Sequence, residues 1–382
     1  MSPWLKGVFY LKKRSIFVIG SILLTALVVC GMHVAATELN KPEGKLIMLA
    51  DEGELAENVA KYALWQGVCS YAAEHGYEAW LVLAADGTQE ARMQALEKNL
   101  SPAVRAVVGL GEDYEPVIYE AQGRYPGVNF LLLDGEPRTL SDSLYETRTN
   151  THCLLFREDE AGFLAGFAAV MDGKRQLGFC GEGTGAEVIR YGYGFIQGAE
   201  AAAAELGLKN GDISIQYWYV EEELSEEEIQ ATVSQWYKKG TQVVSVYDHG
   251  ALALTNVVIA AAEENGGLVL ASGADCSLQG SAVLSSTLKD YCGQVQVALS
   301  SLDENRGCWN ADRAGRSQLL GVSDGALTLA EESGAWRFTS LSKERLETLL
   351  EQLRQGCFFL DQGGNRERFP LSPHCTVKTH SN

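Results

Sequence analysis

From Lys45 onward the chain alternates short apolar runs with stretches whose apolar positions recur at helical spacing. LIMLA (46–50) reads as a strand, and Leu55, Val59, Tyr62 and Ala63 then mark the stripe of a helix. AWLVLAA (79–85), AVVGL (106–110) and VNFLLLD (128–134) repeat the strand signal, with helical stretches near 88–99 and 113–122 between them. These strand runs are continuously apolar rather than alternating. That pattern predicts a parallel sheet covered by helices on both faces.

A second series starts after CLLF (153–156). A helix carrying Phe163, Leu164, Phe167, Val170 and Met171 precedes the strand QLGFC (176–180). The next helix, near 186–207, places Val188, Tyr191, Phe195 and Ala199 on one face. Gly192, Gly194 and Gly198 lie inside it, each costing about 1 kcal/mol relative to alanine. Close approach of another backbone or of a ligand accounts for such a cost. SIQYWYV (214–220), a helix opened by the capping box Ser225/Glu228, VVSVY (243–247), a helix near 251–264, GLVLAS (267–272) and AVLSS (282–286) complete the series. An amphipathic helix follows Lys289, and runs at 318–322 and 326–330 flank Ser-Asp-Gly as in a hairpin. A last helix is expected at 342–355, with an irregular tail after Gly356.

No linker separates the two series, so the chain is expected to cross between two βα lobes at about 156 and 285, around a hinged cleft. The expected division is a basic flank plus signal or anchor helix at 1–36, an N-terminal lobe from 37–156 and 287–330, a C-terminal lobe at 157–286, and a C-terminal helix and irregular tail at 331–382. Ligands of open α/β sheets bind at the carboxyl ends of the strands.

The N-terminus changes the picture of where this body works. Lys6, Lys12, Lys13 and Arg14 precede an apolar run from Ser15 to Ala36, long enough to cross a bilayer as a helix. The basic flank stays cytoplasmic and sends the rest outside. The segment is expected to remain as an anchor, to be cut after Ala36, or to yield to lipidation at Cys30. The net charge is −19 although these first residues carry only bases. So acidic a body repels nucleic acid and anionic surfaces, which excludes nucleic-acid partners. The nine cysteines are widely spaced without a CxxC pair, which predicts small buried hydrophobes rather than a metal site.

Candidate chemistry is sparse. Asp51 follows a strand, where its carboxylate either accepts hydrogen bonds from a ligand or stabilises a helix N-terminus. Asp275 has the same two readings, while Asp134, beside Gly135, suits a turn. Lys289 either neutralises an acidic ligand, pairs with Asp51 or Asp275, or is a solvated lysine at a helix start. Tyr62 and Tyr191 are weaker candidates for aromatic contact, and Tyr191 and Trp65 fit a core better than a stacking platform. The loop Gly181-Glu182-Gly183-Thr184-Gly185 lacks the ending of a phosphate loop, and Glu182 repels phosphate. Asp248-His249 has no serine in a nucleophile context, and GxSxG and HExxH are missing, so neither catalysis nor a cofactor or metal is expected.

Four ordered blocks carry a family resemblance over roughly residues 45–330. They are Asp51-Glu-Gly53 with Trp65-Gln-Gly67, Phe156-Arg-Glu-Asp-Glu160-Ala-Gly-Phe-Leu-Ala-Gly166, GFCGEG (178–183) leading to Tyr191, Gly194, Phe195 and Gly198, and Val283-Leu-Ser-Ser-Thr-Leu-Lys289. The body resembles the basic membrane protein (PnrA-like) family of ABC-transporter substrate-binding lipoproteins. The resemblance implies a type I periplasmic-binding-protein fold, an extracytoplasmic location tethered by residues 15–36 or a lipid on Cys30, an ABC permease as partner, and a small-molecule ligand, in known members a purine nucleoside. The expected ligand contacts are Asp51, Asp275 and Lys289, with Tyr62 and Tyr191 as the weaker aromatic candidates. The sequence departs from the family where Ala60 and Lys61 replace the stacking Phe and Asn, and where Gly273 and Cys276 flank Asp275. A membrane-anchored sensor of the same fold that feeds no transporter is the alternative.

Overall fold

The computed structural model describes residues 44–380 other than 142–143, 222, 333 and 364–367. The apolar segment 15–36 and Cys30 lie outside the described residues. Strands β1 (Lys45–Asp51), β2 (Glu78–Ala84), β3 (Val104–Leu110), β4 (Asn129–Leu133) and β5 (Thr151–Phe156) form one sheet with β11 (Arg316–Leu320), in the order β11-β5-β4-β3-β1-β2. Every neighbouring pair in it is parallel. Helices α2 (Val59–His75) and α9 (Tyr291–Glu304) cover one face, with the short α1 (Glu54–Glu57) ahead of α2. Helices α3 (Gln89–Asn99) and α4 (Glu115–Arg124) cover the other. Both faces of the strands are buried, which is why β3 and β4 read as unbroken apolar runs.

The second sheet has the order β12-β10-β9-β8-β6-β7-β13. It comprises β6 (Gln176–Glu182), β7 (Ile213–Val220), β8 (Val243–Tyr247), β9 (Leu268–Ala271), β10 (Val283–Lys289), β12 (Leu327–Leu329) and β13 (Cys375–Thr379). Only β12 runs antiparallel, beside β10. Helices α5 (Glu158–Met171) and α6 (Ala186–Glu205) pack on one face, and α7 (Glu226–Lys238) and α8 (Ala253–Asn265) on the other. The Ser225–Glu228 capping box opens α7 as the sequence predicts.

Two of the glycines inside α6, Gly194 and Gly198, answer to another backbone, while Gly192 faces the Tyr217 hydroxyl and the Phe179 ring. A methyl group on Gly194 or Gly198 would overlap the carbonyl oxygens of Asp159 and Phe163, and one on Gly162 or Gly166 those of Tyr191 and Phe195. Two helices thus cross at backbone contact, which only residues without Cβ allow. Gly67 plays the same part in α2, where a Cβ would lie 2.7 Å from the Cys292 carbonyl oxygen.

Two expectations are corrected. The runs around Ser323-Asp324-Gly325 form no hairpin, because β11 lies in the first sheet and β12 in the second. A 3-10 turn at Val322–Asp324 joins them, tied down when Glu160 Oε2 accepts the Val322 N–H at 2.7 Å. The tail after Gly356 is also not wholly irregular. It ends in β13, which pairs with β7 in register from Cys375↔Ile213 to Thr379↔Tyr217. Strand β10 continues to Lys289 within the second sheet, and α9 then packs on α2. The chain therefore changes sheets at 156/157, at 289/290 and again near 321. The eight described cysteines are all free thiols, three of them buried.

Candidate ligand-binding site

The crossing points bring distant residues together. Lys289 ends β10, and Tyr291 opens α9 two residues later. Glu158 is the first residue of α5, just past the end of β5. Asp134 follows β4 with φ 49°, a left-handed conformation uncommon outside glycine though tolerated best by Asn and Asp. Its amide donates to the Leu154 carbonyl, and in this posture its carboxylate receives the Tyr291 hydroxyl at 2.6 Å and the Lys289 ammonium at 3.0 Å. Lys289 also pairs with Glu158 and lies 3.4 Å from the Tyr247 hydroxyl. The rings of Phe156, Tyr247 and Tyr291 surround the ammonium at 5.4, 5.7 and 5.8 Å from their centres, within reach of cation–π attraction.

Burial sets the electrostatics of this cluster. Lys289 is 9% exposed and Glu158 2%. Desolvation pushes the Glu158 carboxyl up to about 7, more than Lys289 draws it down. Desolvation would also lower the Lys289 pKa, but Asp134 and Glu158 outweigh it and hold the ammonium charged. Glu158 Oε2 is buried without a hydrogen-bond partner. Behind the cluster the Tyr191 ring lies 5.0 Å from that of Tyr247, and its hydroxyl pairs with Ser245 at 3.1 Å.

At the end of β1 the side chains satisfy one another. Arg92 grips Asp51 with two N–H groups, at 3.0 and 2.6 Å, and donates a third to the Asp113 carbonyl at 2.6 Å. Glu54 pairs with Lys61 and receives the Tyr114 hydroxyl at 2.7 Å and the Asp51 amide at 2.9 Å. Both cations sit 4.9 Å from the centre of the Tyr114 ring. Burial lowers the Lys61 pKa to about 8 despite the neighbouring Asp113 and Asp51. The two sheets' loops also touch, since Val59 N–H donates to the Gly250 carbonyl at 3.3 Å.

Residues 45–344 match the family described as ABC transporter substrate-binding protein, PnrA-like. The chain belongs to this family. Members of the PnrA-like family are extracytoplasmic substrate-binding proteins of ABC transporters rather than enzymes. The two-sheet α/β architecture agrees with solved structures. A solute-binding protein of an ABC transporter system from Aeropyrum pernix has a TM-score of 0.63 at 15% identity, over 85% of this chain and 95% of that one. A transcriptional activator of the comK gene from Bacillus halodurans also scores 0.63 at 15%, over 83% and 99%. A second ABC solute-binding protein, from Conexibacter woesei, scores 0.59 at 18%, over 84% and 99%. At such identities the likeness is one of fold.

Of the residues the sequence singles out in this PnrA-like chain, Lys289 and Tyr191 meet around Tyr247. Lys289 is neither solvated nor paired with Asp51 or Asp275; its partners are Asp134 and Glu158. Asp275 is exposed, with one oxygen accepting the Ser277 amide at 2.8 Å. Tyr62 is half-buried near the start of α2. Asp248 is fully buried and accepts the Thr255 amide at 3.0 Å at the start of α8. Sequence reasoning gave Asp134 to a turn and left Glu158 unweighed. The available signal was position alone, each lying within two residues of the end of an apolar strand. Among the described residues no cluster of His, Cys, Asp and Glu is suited to a metal, and no helix is long and apolar enough to cross a membrane.

Proposed function

We propose that this protein is the extracytoplasmic solute receptor of an ABC importer, with a type I periplasmic-binding-protein fold that closes two lobes on a small polar molecule. The observation that carries this reading is the buried Lys289 ammonium, which bridges Asp134 at the end of a first-sheet strand and Glu158 at the start of a second-sheet helix. The carboxyl ends of strands from both sheets meet there, which is where open α/β sheets bind ligands. The first-sheet half around Asp51 is already occupied by Arg92, so Asp51 orders the cleft wall while Asp134, Lys289 and Tyr247 face the solute, with Tyr191 behind them and Tyr62 and Asp275 at the rim. Closing the lobes would strengthen each hydrogen bond by removing water. Residues 15–36, or a lipid on Cys30, would tether the receptor beside its permease.

The test is a thermal-shift screen of the full chain in detergent against nucleosides, sugars, amino acids and amines. A ligand present at 100 times its Kd adds about 2.7 kcal/mol of stability. A hit whose shift changes in Lys289→Met or Asp134→Asn supports the site, and a hit indifferent to both moves it elsewhere. Copurification of a permease with the tethered protein tests the transport role.

A further inference from the structure

Charge balance in the buried cluster is incomplete. Two carboxylates, Asp134 and Glu158, face one ammonium, Lys289. The other groups facing Glu158 are neutral hydroxyl-bearing rings, Tyr247 from β8, Tyr291 from α9 and Tyr191 from α6. The nearby His249 is turned toward Glu187, 3.8 Å away. Glu158 is 2% exposed, and its Oε2 has no donor. A buried carboxylate oxygen without a donor forfeits the full desolvation cost of the group. The cluster therefore lacks one positive charge and one N–H donor at the same atom.

A proton on Glu158 supplies the charge, and its carboxyl is pushed up to about 7 by burial. A ligand ammonium supplies the charge and the donor together. From this geometry we infer that the solute carries a protonated primary amine, bound at Glu158 Oε2 beside Lys289 when the lobes part and close again. This inference rests on the receptor reading and names the class of its ligand. A neutral nucleoside would leave the carboxylate as it is. The acidic body, with a net charge of −19, also favours encounter with cations.

Isothermal titration calorimetry of the full chain in detergent tests this with matched probes, glucosamine against glucose and putrescine against butanediol, alongside adenosine. The amines are expected to bind at least tenfold more tightly than their neutral partners, and to release a proton on binding at pH 6 but not at pH 8. Glu158→Gln should erase the preference. Lys289→Met, which leaves the carboxylates a further charge short, should tighten amine binding, an effect that a damaged fold would not produce. Equal binding of neutral partners, amine affinity unchanged in Glu158→Gln, or silence from both amines overturns the inference. A nucleoside or sugar that binds where amines do not overturns it while leaving the receptor standing. Silence from every solute overturns both.

Discussion

Lys289 and Asp134 belong to different sheets, yet the ammonium of one lies 3.0 Å from the carboxylate of the other. The pair stands between two changes of sheet, so whatever alters it alters how the lobes meet. Removing one member of a buried ion pair costs about 3–5 kcal/mol, because the charge left behind is neither solvated nor compensated. Lys289→Met leaves both Asp134 and Glu158 without a cation and should cost that much in denaturant unfolding at pH 8. Asp134→Asn should cost less, since Glu158 still holds the ammonium. A Lys289→Met protein as stable as the wild type would mean the pair contributes only geometry.

The same cluster gives stability a pH dependence of defined sign. The Glu158 carboxyl titrates at about 7 in the folded chain, above its ordinary value of 4.5. The folded state therefore holds this proton more tightly than the unfolded state. Its contribution is complete below about 4.5 and is lost as the pH rises through 7. Glu158→Gln, which cannot titrate, should flatten that part of the curve, so that the variant gains on the wild type between pH 5 and pH 8. Melting both proteins at the two pH values measures the difference. Parallel curves would assign the titration to another group.

The crossing of α5 and α6 has no room for a side chain. A methyl group on Gly162 would overlap the Tyr191 carbonyl, and one on Gly194 the Asp159 carbonyl. Backbone cannot yield as a flexible side chain does, so Gly162→Ala should cost about 3 kcal/mol or more, the upper range for overpacking. It should also displace Tyr191 from Ser245 and Tyr247. Gly127 has open space where its Cβ would be and no left-handed φ, so Gly127→Ala should stay within about 0.5 kcal/mol. Chemical denaturation of both variants checks the contrast.

These residues also explain what was legible in the sequence. Runs such as VVSVY and FLLL could be read because burial on both faces leaves no exposed position to break them. The crossing glycines were legible as a cost, and the structure supplies the compensation. The hairpin expected around Asp324 failed because turn chemistry is local, whereas the choice of sheet is not. Arg157 N–H donates to Leu320 O, and Glu160 accepts from Val322, across more than 160 residues. Strand β13 escaped notice because CTVKT is a half-exposed edge with two short apolar side chains amid polar ones. At the site, Lys289 could be picked from its place after a strand. Its partners 155 and 131 positions away could not, because only the sheet order makes them neighbours.

That missed edge strand yields a further expectation. Beyond Gly356 the tail lays Phe358 on Phe163 at 4.7 Å between ring centres and Phe369 on Tyr217 at 4.9 Å. It then closes on the sheet with Ile213 N–H donating to His374 O at 3.0 Å and His380 N–H to Tyr217 O at 2.8 Å. Truncation after Gly356 removes Phe358, Leu360 and Phe369, each worth roughly 2 kcal/mol of burial, and leaves β7 as an open edge prone to pairing with other chains. The truncated protein should be several kcal/mol less stable and aggregate through that edge. Ligand affinity at low temperature should survive, because β13 lies five strands from β10, roughly 24 Å away at ordinary strand spacing. Light scattering and calorimetry on the truncated chain separate the two effects. Loss of affinity while the fold is intact would mean that the tail reaches the site through α6, whose Tyr193 hydroxyl donates to Arg368 O at 3.0 Å.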